Sequence, residues 1–308
     1  MGTAGTCSVR SGSAAGSAPR ASSAPANNDL SLPPTELTMA KTRKPSAAKA
    51  PAPLFCLTIA GLDPTGGAGA TADLRIFRRL GAYGLSCLTA LTPQNTRGVK
   101  GIHPASKAAL KQELDSVFED FKIAAAKTGQ IPNKELAQAI VQKLKANPLP
   151  LVVDPVMLPT RGMWLVEKDA VAYLRKNLLP LAAVITPNLE EAAWLADMTI
   201  TTMADMEAAA ARLVPTVTKA VVLTAGDGLR EGAWDLFYDG HHIEWMKTPR
   251  RAVGDIHGSG CHYSAALCAH LAKGLPLLDA VKATKRLLTR LIDHDLIDPT
   301  GQMKIFHS

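Results

Sequence analysis

The 308-residue sequence is poor in aromatic residues, which make up only 5% of the chain. Four Trp, four Tyr and six Phe offer few platforms on which single-stranded nucleic acid stacks. No apolar stretch reaches the roughly 20 residues that a membrane-spanning helix needs. A hydrophobic content of 47% with 20% charged residues indicates instead a globular protein that is long enough for a large core.

The sequence has little excess charge outside its first segment, although the net charge of the whole chain is +7. Residues 1–53 contain six basic and two acidic side chains, so the other 255 residues carry only +3. A domain with that balance has no electrostatic reason to bind a polyanion, and we expect no nucleic-acid partner for it. Nucleic-acid binding by the basic segment alone remains an alternative.

The cysteines are few and show no spacing that is typical of a zinc site. Their number is odd, and three of them lie in apolar segments, as buried free thiols do. This usage is typical of a reducing compartment, so we expect a cytoplasmic protein. The five positions are Cys7, Cys56, Cys87, Cys261 and Cys268.

Residues 1–53 lack apolar periodicity and contain seven of the 21 prolines. Such a segment cannot bury enough surface to offset its ordering entropy, which predicts a disordered tail. A transit peptide is an alternative interpretation, because the segment contains arginine and few acids. A true start at Met39 is another. In each case we expect the folded domain to span residues 54–308.

From residue 54 onward, short apolar runs alternate with helical periodicity, which predicts an α/β fold with a doubly wound, mostly parallel sheet flanked by helices. The predicted strands are 54–60, 84–91, 123–127, 149–157, 182–186 and 219–224, followed by a hairpin over 233–246 that turns at Asp239-Gly240. The predicted helices are 70–80, 107–121, 134–145, 168–178, 188–196, 203–214, 258–273 and 277–296.

Polar residues and glycines follow each of the first six predicted strands. Because the carboxyl ends of parallel strands meet at one edge of the sheet, these segments predict a small-molecule site there. They are Gly61-Leu62-Asp63, Gln94-Asn95-Thr96, Thr128-Gly129-Gln130, Asp154-Pro155, Thr186-Pro187-Asn188 and Thr224-Ala225-Gly226-Asp227.

The sequence Gly258-Ser259-Gly260-Cys261 opens an apolar helix near the carboxyl terminus. The first N–H groups of a helix lack helical partners, and with the positive helix end they form a site for an anion such as a phosphoryl group. The same field is expected to favour the thiolate of Cys261. An ordinary glycine turn, with Cys261 as a small buried residue, is the alternative.

Five collinear stretches, within residues 57–266, resemble the hydroxymethylpyrimidine/phosphomethylpyrimidine kinases of thiamine biosynthesis, which belong to the ribokinase-like superfamily. Sugar kinases of that superfamily carry an aspartate where Cys261 stands, so the last stretch distinguishes this branch. The stretches are 60–69 (AGLDPTGGAG), 90–99 (ALTPQNTRGV), 154–157 (DPVM), 185–192 (ITPNLEEA) and 257–261 (HGSGC).

The resemblance implies magnesium-assisted transfer of phosphate from ATP to 4-amino-5-hydroxymethyl-2-methylpyrimidine and then to its monophosphate, by a homodimer. It implies that Cys261 takes the proton of the attacking hydroxyl while the backbone of Gly258, Ser259 and Gly260 stabilises the moving phosphoryl group. By the same resemblance, the pyrimidine contacts Gly61, Ala68, Asp73, Gln94, Gln130 and Val156. The nucleotide contacts Asn188, Glu191, Thr224 and Gly226, and the metal Asp154 and Glu191.

Three of these roles have competing interpretations. The Gln94 amide offers a donor and an acceptor to an aminopyrimidine edge, but it could instead cap a loop. Asp73 could be a solvent-facing acid in the first turns of a helix. Asn188 and Glu191 could form a capping box, with or without a role in binding.

The chain departs from the family pattern at four places. Leu62 replaces a serine, Gln130 replaces a methionine that faces the pyrimidine, and Thr160-Arg161-Gly162 and Thr224-Ala225-Gly226 replace lysine-containing loops. A polar Gln130 changes which heterocycle fits, and Arg161 could replace the lost lysine. These departures leave the second phosphorylation open. They also leave two alternatives: a pyridoxal or pyridoxine kinase, and a non-catalytic pyrimidine sensor.

Overall fold

Helices and strands alternate along the chain in the computed structural model, which describes residues 53–157, 164–226, 229, 232–301 and 303–307. All of these lie in one unit, Pro51–Ser308. The predicted tail, apart from Pro53, and the Thr160-Arg161-Gly162 segment lie outside the described residues. None of the helices in the described part of the chain is long and apolar enough to cross a membrane.

The observed elements follow the predicted order. The helices are α1 Gly69–Arg79, α2 Lys107–Asp120, α3 Lys134–Ala146, α4 Lys168–Asn177, α5 Leu189–Ala196, α6 Met203–Leu213, α7 Ser259–Ala272 and α8 Leu277–His294. The strands are β1 Phe55–Leu62, β2 Tyr83–Leu91, β3 Gln94–Asn95, β4 Gly98–Val99, β5 His103–Pro104, β6 Ile123–Thr128, β7 Leu151–Val153, β8 Val184–Ile185, β9 Ala220–Gly226, β10 Ala233–Tyr238, β11 Ile243–Thr248, β12 Ile256–His257, β13 Leu296–Ile297 and β14 Lys304–Phe306.

Within the described ranges, nine strands form one sheet in the order β11-β10-β9-β8-β7-β6-β1-β2-β5. The central strands from β9 to β2 are mutually parallel, whereas β11, β10 and β5 pair antiparallel at the two edges. This is the doubly wound, mostly parallel sheet that the sequence predicts.

The two faces of the sheet are both buried under helices. Leu57 and Ile59 of β1 face a core that also contains residues of α2 to α6, whereas Cys56 faces a second core with α1, α7 and α8. In β7, Val153 lies in the first of these cores and Val152 in the second. Successive strand residues point to opposite faces, so continuous apolar runs are the pattern that a sheet covered on both sides requires.

The direction of winding changes at β1, because β2 lies on one side of it and β6 on the other. In doubly wound sheets the carboxyl ends of the strands at such a point border an open crevice, where ligands bind. Gly61 lies at the carboxyl end of β1 and Gln130 follows the end of β6, and both are predicted to contact the substrate. The topology therefore places these predicted residues at one crevice.

Predicted and observed elements differ where the chain is irregular. Strand β7 ends at Val153 rather than at residue 157, because Pro155 has no N–H to donate to a neighbouring strand. The β3–β4 hairpin and the small sheet β12-β14-β13 are absent from the prediction. These strands contain two or three residues each, too few for hydrophobic periodicity to reveal.

Candidate active site

A cavity of about 370 Å³ opens at the carboxyl ends of the central strands. Its wall contains residues from the loops after five different strands and from the start of α7. The predicted site residues in this wall are Gly61, Ala68, Gln94, Gln130, Asp154, Val156, Asn188, Glu191, Thr224, Gly258, Ser259, Gly260 and Cys261. The fold thus brings together residues that lie up to 200 positions apart in the chain.

A second cleft of about 500 Å³ adjoins the first. It contains Gly226, the remaining predicted nucleotide residue, and it shares Asn188, Thr224, Ser259 and Gly260 with the first cavity. The two spaces therefore meet at the amino terminus of α7.

The turn that begins α7 is held by close backbone packing. Gly258 adopts a φ of +78°, and a Cβ at this position would lie 1.9 Å from the carbonyl oxygen of Gly67. Only glycine combines this conformation with such a close approach. Because no side chain caps this helix, the N–H groups of its first turn remain available at the cavity.

Cys261 lies in the cavity wall, and its Sγ accepts a hydrogen bond from the amide N of Gly69 at 3.4 Å. Burial raises the pKa of the Cys261 thiol to about 12; the charge of Lys127 opposes this rise, and those of Asp73 and Asp154 add to it. The expectation that the helix field favours a thiolate is therefore corrected. Desolvation and the two carboxylates outweigh the attraction of Lys127 and the bond from Gly69, so the raised pKa favours the neutral thiol at neutral pH.

The structure also corrects the prediction for Asp73, which does not line the cavity. Asp73 is fully buried between α1 and the sheet. One of its carboxylate oxygens accepts a hydrogen bond from Thr58 Oγ1 at 2.6 Å, and the other lies 2.7 Å from Lys127 Nζ. Its role is therefore to neutralise a buried lysine. The alternative of a solvent-facing acid is also wrong.

Lys127 lies beside the cavity residue Asp154, and no motif in the sequence points to a role for it. Its side chain is fully buried, and its Nζ lies 3.8 Å from Asp154 Oδ2 in addition to its contact with Asp73. Burial acts to lower the pKa of Lys127, but the two carboxylates and Cys261 raise it above the ordinary value. The signal in the sequence is a single charged residue within the apolar run Ile123–Thr128.

Replacing Lys127 with methionine is expected to destabilise the protein by about 3–5 kcal/mol, because the buried Asp73 carboxylate then keeps only its hydrogen bond from Thr58 and has no cation beside it. The double variant Lys127→Met/Asp73→Asn removes both charges and keeps an acceptor for Thr58. We expect the double variant to recover at least half of the lost free energy of unfolding, as measured by urea denaturation. A single variant as stable as the wild type, or a double variant no better than the single one, would contradict this account.

Asn188 and Glu191 form the predicted capping box at the start of α5. Asn188 Oδ1 accepts from the amide N of Glu191 at 2.9 Å, and Glu191 Oε2 accepts from the amide N of Asn188 at 3.0 Å. Both residues also line the cavity, so capping does not remove them from the site. Burial and the nearby charge of Asp154 raise the pKa of Glu191 to about 8.

Asp63 and His257 join the glycine-rich loop after β1 to the turn before α7. Their side chains are 2.7 Å apart, from His257 Nε2 to Asp63 Oδ2, and Asp63 also accepts hydrogen bonds from the amide N of Thr65 and of Ala68. Although burial acts to raise the pKa of Asp63, its bonds with His257 and Thr65 hold it below the ordinary value. Both residues occur in the family-like stretches, but only the structure shows that they pair.

Two glutamines face the cavity in different states. The side-chain amide of Gln94 has no hydrogen-bond partner among the residues that the structure describes, so it does not cap a loop there. The Gln130 Oε1 atom accepts a hydrogen bond from Thr92 Oγ1 at 3.0 Å, and its Nε2 donates to the carbonyl of Leu165 at 3.4 Å. Gln94 is thus free for a ligand, whereas Gln130 forms a fixed polar surface.

Comparison with known proteins agrees with this geometry. The family described as phosphomethylpyrimidine kinase matches residues 63–304. The hydroxymethylpyrimidine/phosphomethylpyrimidine kinase of Rhizobium meliloti is 43% identical over 235 residues, which cover 76% of this chain and 88% of that protein. The corresponding enzyme of Haemophilus influenzae is 41% identical over 246 residues, which cover 78% and 91%.

Solved structures of two kinases share the fold. An ADP complex of Bacillus subtilis pyridoxal kinase has a TM-score of 0.76 and 32% identity, and the match covers 83% of this chain and 97% of that one. Phosphomethylpyrimidine kinase from Clostridium difficile has a TM-score of 0.69 and 36% identity, with coverage of 78% and 99%. From the family match, these identities and the shared fold, the chain belongs to the phosphomethylpyrimidine kinase family.

Proposed function

We propose that this protein transfers the γ-phosphoryl group of ATP to the hydroxymethyl group of 4-amino-5-hydroxymethyl-2-methylpyrimidine, and then to the resulting monophosphate. One observation carries the proposal: Ser259 and Gly260 line both the cavity with Gln94 and the cleft with Gly226. A nucleotide in the cleft and a pyrimidine in the cavity would therefore meet at the free N–H groups of α7. Phosphoryl transfer depends chiefly on such positioning and charge stabilisation.

The nucleotide occupies the cleft in this proposal, with its phosphates directed toward α7. Asn188, Thr224 and Gly226 line the path, and the N–H groups of Ser259 and Gly260 stabilise the charge of the moving group. These donors are already in place, so they need no rearrangement during the reaction.

The residues beside this path fit a magnesium ion. Asp154 and Glu191 supply carboxylate oxygens, which Mg²⁺ prefers, and the buried Thr186 Oγ1 has no hydrogen-bond partner among the described residues. The described part of the chain has no group of three acidic, histidine or cysteine ligands, which suits an ion held mainly by phosphates and water. When bound, Mg²⁺ would neutralise charge on the β- and γ-phosphate oxygens.

In this proposal Cys261 receives the proton of the acceptor hydroxyl. It lines the same cavity as Gln94 and directly follows Ser259 and Gly260 in α7. Since burial raises the pKa of its thiol to about 12, the thiol must first lose its own proton to solvent water or hydroxide. The thiolate then takes the proton of the acceptor hydroxyl, so the reaction is expected to be faster at higher pH.

Replacing Gln94 with leucine is expected to raise the KM for the pyrimidine by roughly tenfold to a hundredfold, because a free amide that can bond the ring edge is lost. The KM for ATP should change little, since Gln94 lies in the cavity and not in the nucleotide cleft. Steady-state kinetics with each substrate varied in turn provide the measurement. Equal losses for both substrates would argue against the assigned role.

The substrate assignment is tested by measuring ADP release with hydroxymethylpyrimidine, its phosphate, pyridoxal and pyridoxine. The proposal expects the highest kcat/KM for hydroxymethylpyrimidine and further turnover of its phosphate. A preference for pyridoxal would make the protein a pyridoxal kinase. Binding of the pyrimidine without ADP release would identify a sensor.

Three expectations stay predictions: the boundary between the tail and the kinase domain, the homodimeric assembly and the cytoplasmic location. Limited proteolysis would locate the boundary near residue 53, light scattering would measure the mass in solution, and fractionation of cells would locate the protein.

A further inference from the structure

His262 follows Cys261 in α7 and is almost completely buried. Its ring Nδ1 lies 2.8 Å from the carbonyl oxygen of Gly258, and its backbone N donates to the same oxygen at 2.9 Å. The Gly258 carbonyl therefore accepts two hydrogen bonds from one residue. The backbone bond is the ordinary first bond of a helix, whereas the bond from the ring is an addition that the helix does not require.

The protonation of His262 follows from its partners. A carbonyl oxygen can only accept, so Nδ1 carries the proton. Burial lowers the pKa of His262 to about 4, although the bond to Gly258 opposes this change, so the ring is neutral at pH 7. Its other nitrogen, Nε2, is therefore a lone pair, and it has no hydrogen-bond partner among the described residues.

The second bond to Gly258 affects the direction of the next N–H group. A trans peptide is planar, and its C=O and N–H point in opposite directions. Holding the Gly258 carbonyl toward the body of α7 therefore points the Ser259 N–H away from the helix, where both Gly258 and Ser259 border the cavity. The backbone N–H of His262 already holds this carbonyl, and the ring N–H adds a second restraint on a peptide whose glycine has no side chain to limit its rotation.

The ring of His262 is itself held in place. Phe306 packs against it with ring centroids 4.1 Å apart, and strand β14, which carries Phe306, pairs with β12 directly before the turn. Strand β14 thus contacts both His262 and the strand that leads into the turn.

We propose that His262 is a positioning residue for phosphoryl transfer: its Nδ1–H holds the Gly258 carbonyl, and this directs the Ser259 N–H at the transferring group. This inference rests on the proposed function, because it assigns the Ser259 N–H a role in that reaction. His262 does not touch either substrate.

Three variants test the proposal, with kcat, the two KM values and the melting temperature measured for each. His262→Phe keeps an aromatic ring beside Phe306 but has no donor. We expect its kcat to fall by roughly tenfold to a hundredfold, since one donor is misdirected rather than lost. Both KM values should change by less than about threefold, because uniform binding is not affected. The melting temperature should stay the same or rise, as an unpartnered buried nitrogen has been removed.

His262→Asn is the rescue variant, because its side-chain nitrogen is attached to Cγ in the same way as Nδ1. It should retain kcat within about fivefold of the wild type. His270→Phe is the matched control, since His270 lies in the same helix and also has a buried Nε2 without a partner in the described residues, but it does not line either cavity. Its kcat should be unchanged.

The outcomes distinguish this inference from the proposed function. No ADP release by the wild-type protein with any acceptor would refute the proposed function, and the role of His262 with it. An active wild type with an unimpaired His262→Phe variant would refute the role of His262 alone. The same conclusion follows if His262→Asn loses as much activity as His262→Phe, or if activity falls only in parallel with the melting temperature.

Discussion

Replacing Cys261 with alanine is expected to lower kcat by roughly a hundredfold to ten-thousandfold, the range that a positioned general base contributes. The sulfur lies in the cavity wall beside the α7 donors, and alanine leaves no group there that can take a proton. Binding of ATP and of the pyrimidine should persist within a few-fold, because other residues make those contacts. Steady-state kinetics and calorimetric titration separate the two effects.

Cys268→Ala is the matched control for this variant. Cys268 lies in the same helix and is fully buried in the core, but it does not line either cavity. Cys268→Ala should lower the free energy of unfolding but reduce kcat by no more than about twofold, since it removes a small buried group that lies outside both cavities. An unimpaired Cys261→Ala variant would remove Cys261 from the mechanism.

The protonation of Cys261 adds an independent measurement. Because burial raises the pKa of its thiol to about 12, the thiolate fraction increases with pH throughout the neutral and mildly alkaline range. Modification of Cys261 by iodoacetamide should therefore accelerate roughly tenfold per pH unit between about pH 7 and 10, without a plateau. Peptide mapping by mass spectrometry identifies the modified residue. A plateau near neutral pH would show that the helix field outweighs burial.

Replacing Gly258 with alanine is expected to have a comparably large effect on kcat, of roughly a hundredfold to a thousandfold. The added Cβ would lie 1.9 Å from the carbonyl oxygen of Gly67 and 3.1 Å from the Cα of Ala68. Both contacts involve backbone, so the turn itself must shift, and the N–H groups of Ser259 and Gly260 move with it. Kinetics with ATP and the pyrimidine measure the loss.

Gly274→Ala controls for backbone strain. Gly274 has a φ of +80°, almost the same as the +78° of Gly258, but a Cβ there would have no neighbour within 4 Å. Both variants should lose about 1 kcal/mol of stability through the left-handed conformation. Only Gly258→Ala should lose activity. If both variants had the same kcat, the close packing against Gly67 would have no part in catalysis.

Much of the fold could be predicted because the long strands and helices have local causes. The apolar run that became β1 and the helical spacing that became α2 need no knowledge of their neighbours. The glycines and polar residues after the strands indicated the edge of the sheet where the cavity lies, because parallel strands place their carboxyl ends together. The short strands were not predictable: β12 forms only by pairing with the distant β14, and β3 pairs with the adjacent β4 but is too short to show a periodicity.

Local sequence therefore determined the order of helices and strands, the glycine turn before α7 and the residue types available at the site. The tertiary structure alone decided how those side chains are paired and charged. Asp73 looks like a ligand in the sequence but is paired with Lys127, 54 positions away. Cys261 is partly buried, and desolvation raises the pKa of its thiol. Both outcomes depend on desolvation and on charges from distant parts of the chain, which act through space and leave no local pattern.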